Sequence, residues 1–182
     1  MDAPTMTDAQ RDAARAYQRD LLALLGDDDP AAVQAVTPAE LGALAAAAGT
    51  ELRTRPAAGE WSVLELVGHI VDAEIVCSAR YRFILAHDRP DLPGYDQDAF
   101  ADALRHNEAE PDELLAPFEA LRAANLALWR RTTPQAKARV GMHRERGPES
   151  YDLTFRMISG HDRFHMNQAR ETLAAVRRGD AD

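Results

Sequence analysis

Apolar residues recur three or four apart along most of this chain, and no stretch alternates convincingly with period two. The pattern predicts an all-α fold. Thr7, with Gln10 three residues on, caps a first helix with the stripe Tyr17, Leu21, Leu24 and Leu25, and Gly26 ends it. Asp27-Asp28-Asp29-Pro30 reads as a turn with a new helix start. Thr37-Pro38-Ala39-Glu40 then offers an N-cap, a Pro at the first helical position and a Glu at N3. A second, short helix is expected from there through Leu41 and Leu44 to Gly49. Residues 50–60 read as a loop punctuated by Pro56 and Gly59.

Ser62, with Glu65 at N3, opens a long helix to about Ala86. Val63, Leu66, Val67, Ile70, Val71, Ile75 and Val76 make it apolar over most of its circumference, which predicts a central position. A Pro-rich break over 88–94 precedes a short helix around 97–106, with Phe100 and Leu104 inward. Pro111 opens a third long segment to about Arg131, and Pro117 should kink it or mark its real beginning. Residues 133–149 form a long connection with room for an extended piece around Val140-Gly141-Met142-His143. Ser150 or Asp152 caps the last long helix, which ends near Gly179. Residues 1–6 and the acidic tail after Gly179 read as disordered ends. Four long helices, over 7–26, 62–86, 111–131 and 152–177, imply a bundle, and the long linkers permit a crossover connection.

The 182 residues suit a single domain, 1–182, with an ordered core over about 8–178. The net charge of −9 and the shortness of the basic clusters argue against nucleic acid as a partner. The one cysteine, Cys77, cannot form an internal disulfide and reads as a small core residue, which suits a reducing cytoplasm. No signal peptide opens the chain, and no apolar run approaches the ~18–20 residues of a membrane span. A cytoplasmic protein without a membrane partner is expected.

The chemistry concentrates in Gly160-His161-Asp162-Arg163-Phe164-His165-Met166-Asn167-Gln168. His161 and His165, four apart, share one helix face. Two neutral imidazoles so placed can bind one transition metal together, and His69, mid-helix in the central segment, is the candidate third nitrogen. The plain alternative is two partly buried helix histidines with ordinary partners. Asp72, one turn from His69, either receives the free N–H of a liganding His or ends an exposed helix face. His143 reads as a surface loop histidine that would otherwise serve as acid, base or substrate contact. Gln168 is a helix-surface amide that would otherwise line the pocket. Glu65 is a capping residue, and Trp61 plugs the bundle end. Asp162, Arg163, His87 and His106 read as solvent-facing.

Trp61-Ser62 with Glu65, His69 and Asp72, together with Gly160-His161-x-x-x-His165-x-x-Gln168, resembles the second- and fourth-helix motifs of the DinB-like (DinB/YfiT) superfamily. Gly94-Tyr95-Asp96, and His143 followed by Gly147, resemble its YfiT-type branch. The likeness spans about residues 11–176. It implies a four-helix bundle of up-down-down-up topology with extra short helices in the connections. It implies one divalent metal, zinc or nickel, on His69, His161 and His165, and a homodimer. It also implies a small-molecule substrate handled by thiol-linked chemistry with a low-molecular-weight thiol such as bacillithiol. Phe164 and Gln168 stand where branch members often carry further His. Three imidazoles without a fourth protein ligand leave coordination positions open, the pattern of a catalytic rather than a structural site. Three readings follow: a metal-dependent thiol S-transferase acting on small electrophiles, a metal-dependent hydrolase of a small amide or ester, and a non-catalytic stress-linked bundle. Asp72, His143 and Gln168 are the candidate catalytic residues.

Overall fold

The computed structural model describes residues 7–179, so the expectations for residues 1–6 and 180–182 lie outside the described residues. Seven α-helices are present among the described residues: α1 (Asp8–Leu25), α2 (Pro30–Ala48), α3 (Val63–Ala86), α4 (Gln97–Leu104), α5 (Pro111–Arg131), α6 (Pro134–Lys137) and α7 (Tyr151–Arg178). The caps fall where the side chains demand. Thr7 with Gln10 and Ser62 with Glu65 form reciprocal capping boxes, and the Ser150 hydroxyl accepts from Leu153 N–H.

Four of the long helices, α2, α5, α3 and α7, close a ring in that order. Gln34 donates to Phe155 O, and Arg177 donates to Ala47 O at the far end of α2, so α2 and α7 run parallel. On α3, His69 faces His161 and His165 while Tyr81 faces Tyr151 and Phe155, so α3 is antiparallel to α7. Glu74 meets Arg122 and Ser78 meets Asn125, which makes α5 parallel to α3. The topology is up-down-down-up over α2, α3, α5 and α7.

This corrects the expected membership of the bundle. Residues 30–48 form one unbroken helix, capped by Asp29 rather than started at Thr37. Pro38 removes the N–H that would have bonded Gln34 O, and Arg122 Nη1 supplies the missing donor at 3.2 Å. With that carbonyl satisfied, α2 buries Gln34, Thr37, Leu41, Ala45 and Ala48 and takes a place in the ring. Helix α1 buries only Leu21 and Leu25 and lies outside, along α7. The two backbones meet at Gly160, where a Cβ would come within 1.9 Å of Leu21 O; only glycine fits this crossing.

Seventeen of the 24 residues of α3 are buried, as its apolar pattern predicts, although Ile75 faces outward. Helix α5 runs through Pro117 from a cap at Glu110, so Pro117 is not its start. On α4 the buried residue is Ala101; Leu104 is exposed, because the helix covers α3 with a narrow face. The connection before α7 holds a hairpin, β2 (Val140–His143) against β3 (Gly147–Ser150), with β1 (Asp91–Leu92) parallel to β2. By length and composition alone, Pro30–Glu51 is apolar enough to cross a membrane, which the expectation of no such run overlooked. Its hydropathy comes from alanine, and within the bundle it packs against α5 and α7.

The apolar core divides into two blocks. One gathers Leu41, Leu66, Val67, Ile70, Phe118, Met166 and Leu173, and the other Cys77, Tyr81, Ile84, Leu126, Tyr151, Phe155 and Ile158. Between them, all four bundle helices contribute a buried polar layer that includes Gln34, Thr37, His69, Glu74, Arg122, Asn125, His161, Asp162 and His165.

Candidate metal centre

The antiparallel pairing of α3 and α7 sets His69 against the turn that carries His161 and His165. His69 Nε2 lies 3.1 Å from His165 Nε2 and 3.0 Å from His161 Nε2, and the three ligand atoms all fall within 4.8 Å of one another. All three rings are buried. Burial holds His69 at a pKa of about 3, with further lowering from His165 and His106. His165 sits at about 4, again through burial, partly offset by the hydrogen bond to Gln168. His161 is pushed well below its ordinary range, first by burial and then by the neighbouring imidazoles. Neutral imidazole is the form that binds metal.

The donor set fits one first-row divalent cation. A single hydrogen on His69 Nε2 faces two further nitrogens, whereas a cation accepts all three lone pairs. Tetrahedral Zn–N bonds of ~2.0–2.1 Å place the nitrogens roughly 3.3 Å apart, close to the spacings found. His165 Nδ1 donates to Gln168 Oε1 at 2.9 Å, which turns its Nε2 lone pair toward the cluster. Gln168 is therefore tied to a candidate ligand rather than idle on the helix surface. Trp61 packs at the edge of the core with its ring 5.1 Å from that of His69.

Four expectations about polar residues are corrected here. Asp72 is neither exposed nor bonded to a candidate ligand: its carboxylate meets His106 Nε2 at 2.7 Å. His106 is correspondingly buried rather than on the surface. Its ring fills the space over Gly68, where a Cβ would come within 2.3 Å of His106 Cγ. Asp162 is also buried. It accepts from Arg122 at 2.5 and 3.2 Å and lies 2.9 Å from the Thr37 hydroxyl. Arg122 pairs in addition with Glu74, so one guanidinium with 1% exposure ties all four bundle helices one residue away from His161. Arg163 is half-buried and donates to Leu24 O and Leu25 O at the end of α1.

A cavity of about 200 Å³ opens beside His69 and His161. Its apolar wall includes Leu21, Ala73 and Ile158, and Tyr17, Tyr95 and Arg80 also line it. His143, expected on a surface loop, is buried in β2 and lines this cavity, because the hairpin folds back over the bundle. Its Nδ1 accepts from the N–H groups of Glu145 and Arg146 at 3.2 and 3.4 Å, so its hydrogen resides on Nε2. Burial, then Arg146 and Arg80, hold its pKa at about 3. Cys77 lines the same cavity, and burial pushes its thiol up to about 11. Arg80 carries no signature in the sequence, whereas Tyr17 reads there only as part of the apolar stripe of the first helix and Tyr95 only as part of the Gly94-Tyr95-Asp96 motif. A trace of Arg80 is its position eleven residues after His69, on nearly the same face of α3.

The four depressed histidines predict a pH dependence. In the unfolded chain each takes up a proton near pH 6.5, but in the folded protein each stays neutral to lower pH. Their contribution is thus complete above the unfolded value and is lost as pH falls toward the folded ones. The urea midpoint of chelator-treated protein should be flat from about pH 8 to 7 and decline steadily from about pH 6.5 to 4.5. A midpoint that holds to the acid end would contradict burial of these rings in their neutral form.

A family model described as the DinB superfamily matches residues 32–169. Among solved structures, the fold is similar to that of YfiT from Bacillus subtilis, described as a probable metal-dependent hydrolase with an unusual four-helix bundle topology. The TM-score is 0.73 over 100% of this chain and 94% of that chain, at 20% identity, a likeness of fold. No curated protein matches the chain.

Proposed function

The chain belongs to the DinB superfamily, and from that premise we propose that it is an enzyme dependent on one divalent metal, zinc or nickel, that transfers a low-molecular-weight thiol to a small electrophile. The observation that carries this reading is the convergence of three buried, neutral imidazoles beside a partly open cavity. When bound, a divalent cation supplies acidification of a coordinating thiol or water at neutral pH. The protein's own part is positioning. His69, His161 and His165 offer three nitrogens from two antiparallel helices, and Gln168 orients His165. Leu21, Ala73 and Ile158 give the cavity an apolar wall.

Two features support a thiol over a water nucleophile. The buried carboxylates nearest in sequence to the cluster are engaged elsewhere, Asp72 with His106 and Asp162 with Arg122, so neither is free as a general base. His143 holds its hydrogen on Nε2 with a pKa of about 3 and is a poor base as well. A thiol needs less help, since its proton leaves from a pKa of about 8.5 even in water. Cys77, held at about 11, does not supply that nucleophile, so the thiol comes from a small cosubstrate. Hydrolysis of a small amide or ester is the second reading, favoured by the description of the YfiT fold relative.

The test is metal analysis of the purified protein followed by parallel assays. We expect about one equivalent of metal, and conjugation of monochlorobimane with bacillithiol that stops on chelation. Chelator-sensitive ester or amide turnover without conjugation would transfer the assignment to hydrolysis. Failure to retain zinc or nickel after reconstitution would remove both readings.

A further inference from the structure

The cavity beside the imidazole cluster contains a buried cation with no counter-charge. Arg80 is 5% exposed, and no carboxylate of the described residues lies within 4.0 Å of its guanidinium. Nη2 donates to Pro93 O at 2.6 Å and Nη1 reaches Cys77 Sγ only at 3.9 Å, while Nε is buried without an acceptor. The other guanidinium on the cavity wall, Arg146, is already paired with Glu149. A second orphan donor lies in the same cavity: His143 Nε2, which carries the ring hydrogen, is likewise buried without an acceptor. Arg80 is close enough to His143 to be among the charges that keep it neutral. Buried donors are almost always satisfied, and a lone buried charge is the least tolerable case.

We propose that this end of the cavity binds the carboxylate of a small-molecule substrate, with Arg80 supplying the charge and His143 Nε2–H a second hydrogen bond. The proposal rests on the function proposed above, whose reactive end it places at the imidazoles. Arg80 follows His69 by eleven residues, about 16 Å along the axis of α3, and helical side chains lean toward the N-terminus, here toward His69. The guest is therefore elongated, with its acid at one end, an apolar middle against Leu21 and Ile158, and its reacting group at the other end. Glu145 also lines the cavity, with its carboxylate in the space that a side chain at Gly94 would take, and it forms no ion pair with Arg80.

The test uses 4-phenylbutyrate and its uncharged analogue 4-phenylbutyramide, titrated calorimetrically into chelator-treated protein at neutral pH. Removing metal prevents the acid from binding there, so the outcome does not depend on the metal-enzyme reading. The acid should bind about tenfold to a hundredfold more tightly than the amide. Arg80→Met should abolish that preference, Arg80→Lys should retain part of it, and His143→Phe should reduce it. Should Arg80→Met not fold, the Arg80 Nε–H resonance of the unaltered protein decides, since the acid should shift it and the amide should not. Equal affinities, absence of binding by either compound, or a preference that survives Arg80→Met overturns the proposal. An intact preference in a protein that retains no metal would leave it standing and sink the enzymatic reading instead.

Discussion

His161→Ala and His69→Ala are each expected to reduce bound metal from about one equivalent to a small fraction of it, and to lower metal-dependent turnover by more than about a hundredfold. Loss of one nitrogen leaves a two-imidazole site, and no neighbouring group is available to replace it. Asp72 is held by His106 and Asp162 by Arg122, while His143 is fixed by two backbone N–H groups. The helices should survive, because the apolar blocks on either side of the polar layer do not depend on these rings. Circular dichroism should therefore remain helical while metal analysis of the dialysed variants shows the loss. Gln168→Leu offers a graded comparison. It removes only the acceptor at the outer nitrogen of His165, and it should weaken metal affinity by about tenfold to a hundredfold. Full occupancy in both alanine variants would remove positions 69 and 161 from the site.

Arg122→Met should destabilise the fold by about 3–5 kcal/mol, a large part of the roughly 5–15 kcal/mol that holds a domain together. The change strands the buried carboxylates of Glu74 and Asp162 in the same region, and it takes away the donor that makes Pro38 tolerable within α2. The urea midpoint reports this directly. Adding Glu74→Gln and Asp162→Asn should recover much of the loss, since neutral amides need no counter-charge. If Arg122→Met alone left the midpoint unchanged, the guanidinium would not be holding the four helices together.

Arg122 also shows why parts of this molecule were hidden in its sequence. Local signals were legible. Capping boxes at Thr7 and Ser62 act within one helical turn, and the spacing of His161 and His165 is a property of one helix. His69, polar in the middle of an apolar helix, stood out as their candidate partner, and the structure brings the three rings together. Interactions between distant helices were not legible. A charged residue read alone goes to solvent by default, yet Asp162, Asp72 and His106 are all buried because each meets a partner from another part of the chain. Pro38 was read as a helix start for the same reason. Only a guanidinium 84 positions later in the sequence removes the penalty of carrying it inside α2. His143 was named as a candidate, but its burial was missed because a four-residue strand has too short a pattern to announce which way it folds.

The backbone crossing at Gly160 has a consequence for how the protein can change. It seats α1 so that Tyr17 and Leu21 close one side of the cavity, although α1 contributes none of the three imidazoles and precedes the span matched by the family model. One wall of the cavity is thus written in a segment that carries none of the three candidate ligands. Substitutions at Tyr17 or Leu21 change the shape of the cavity and leave the imidazole cluster in place.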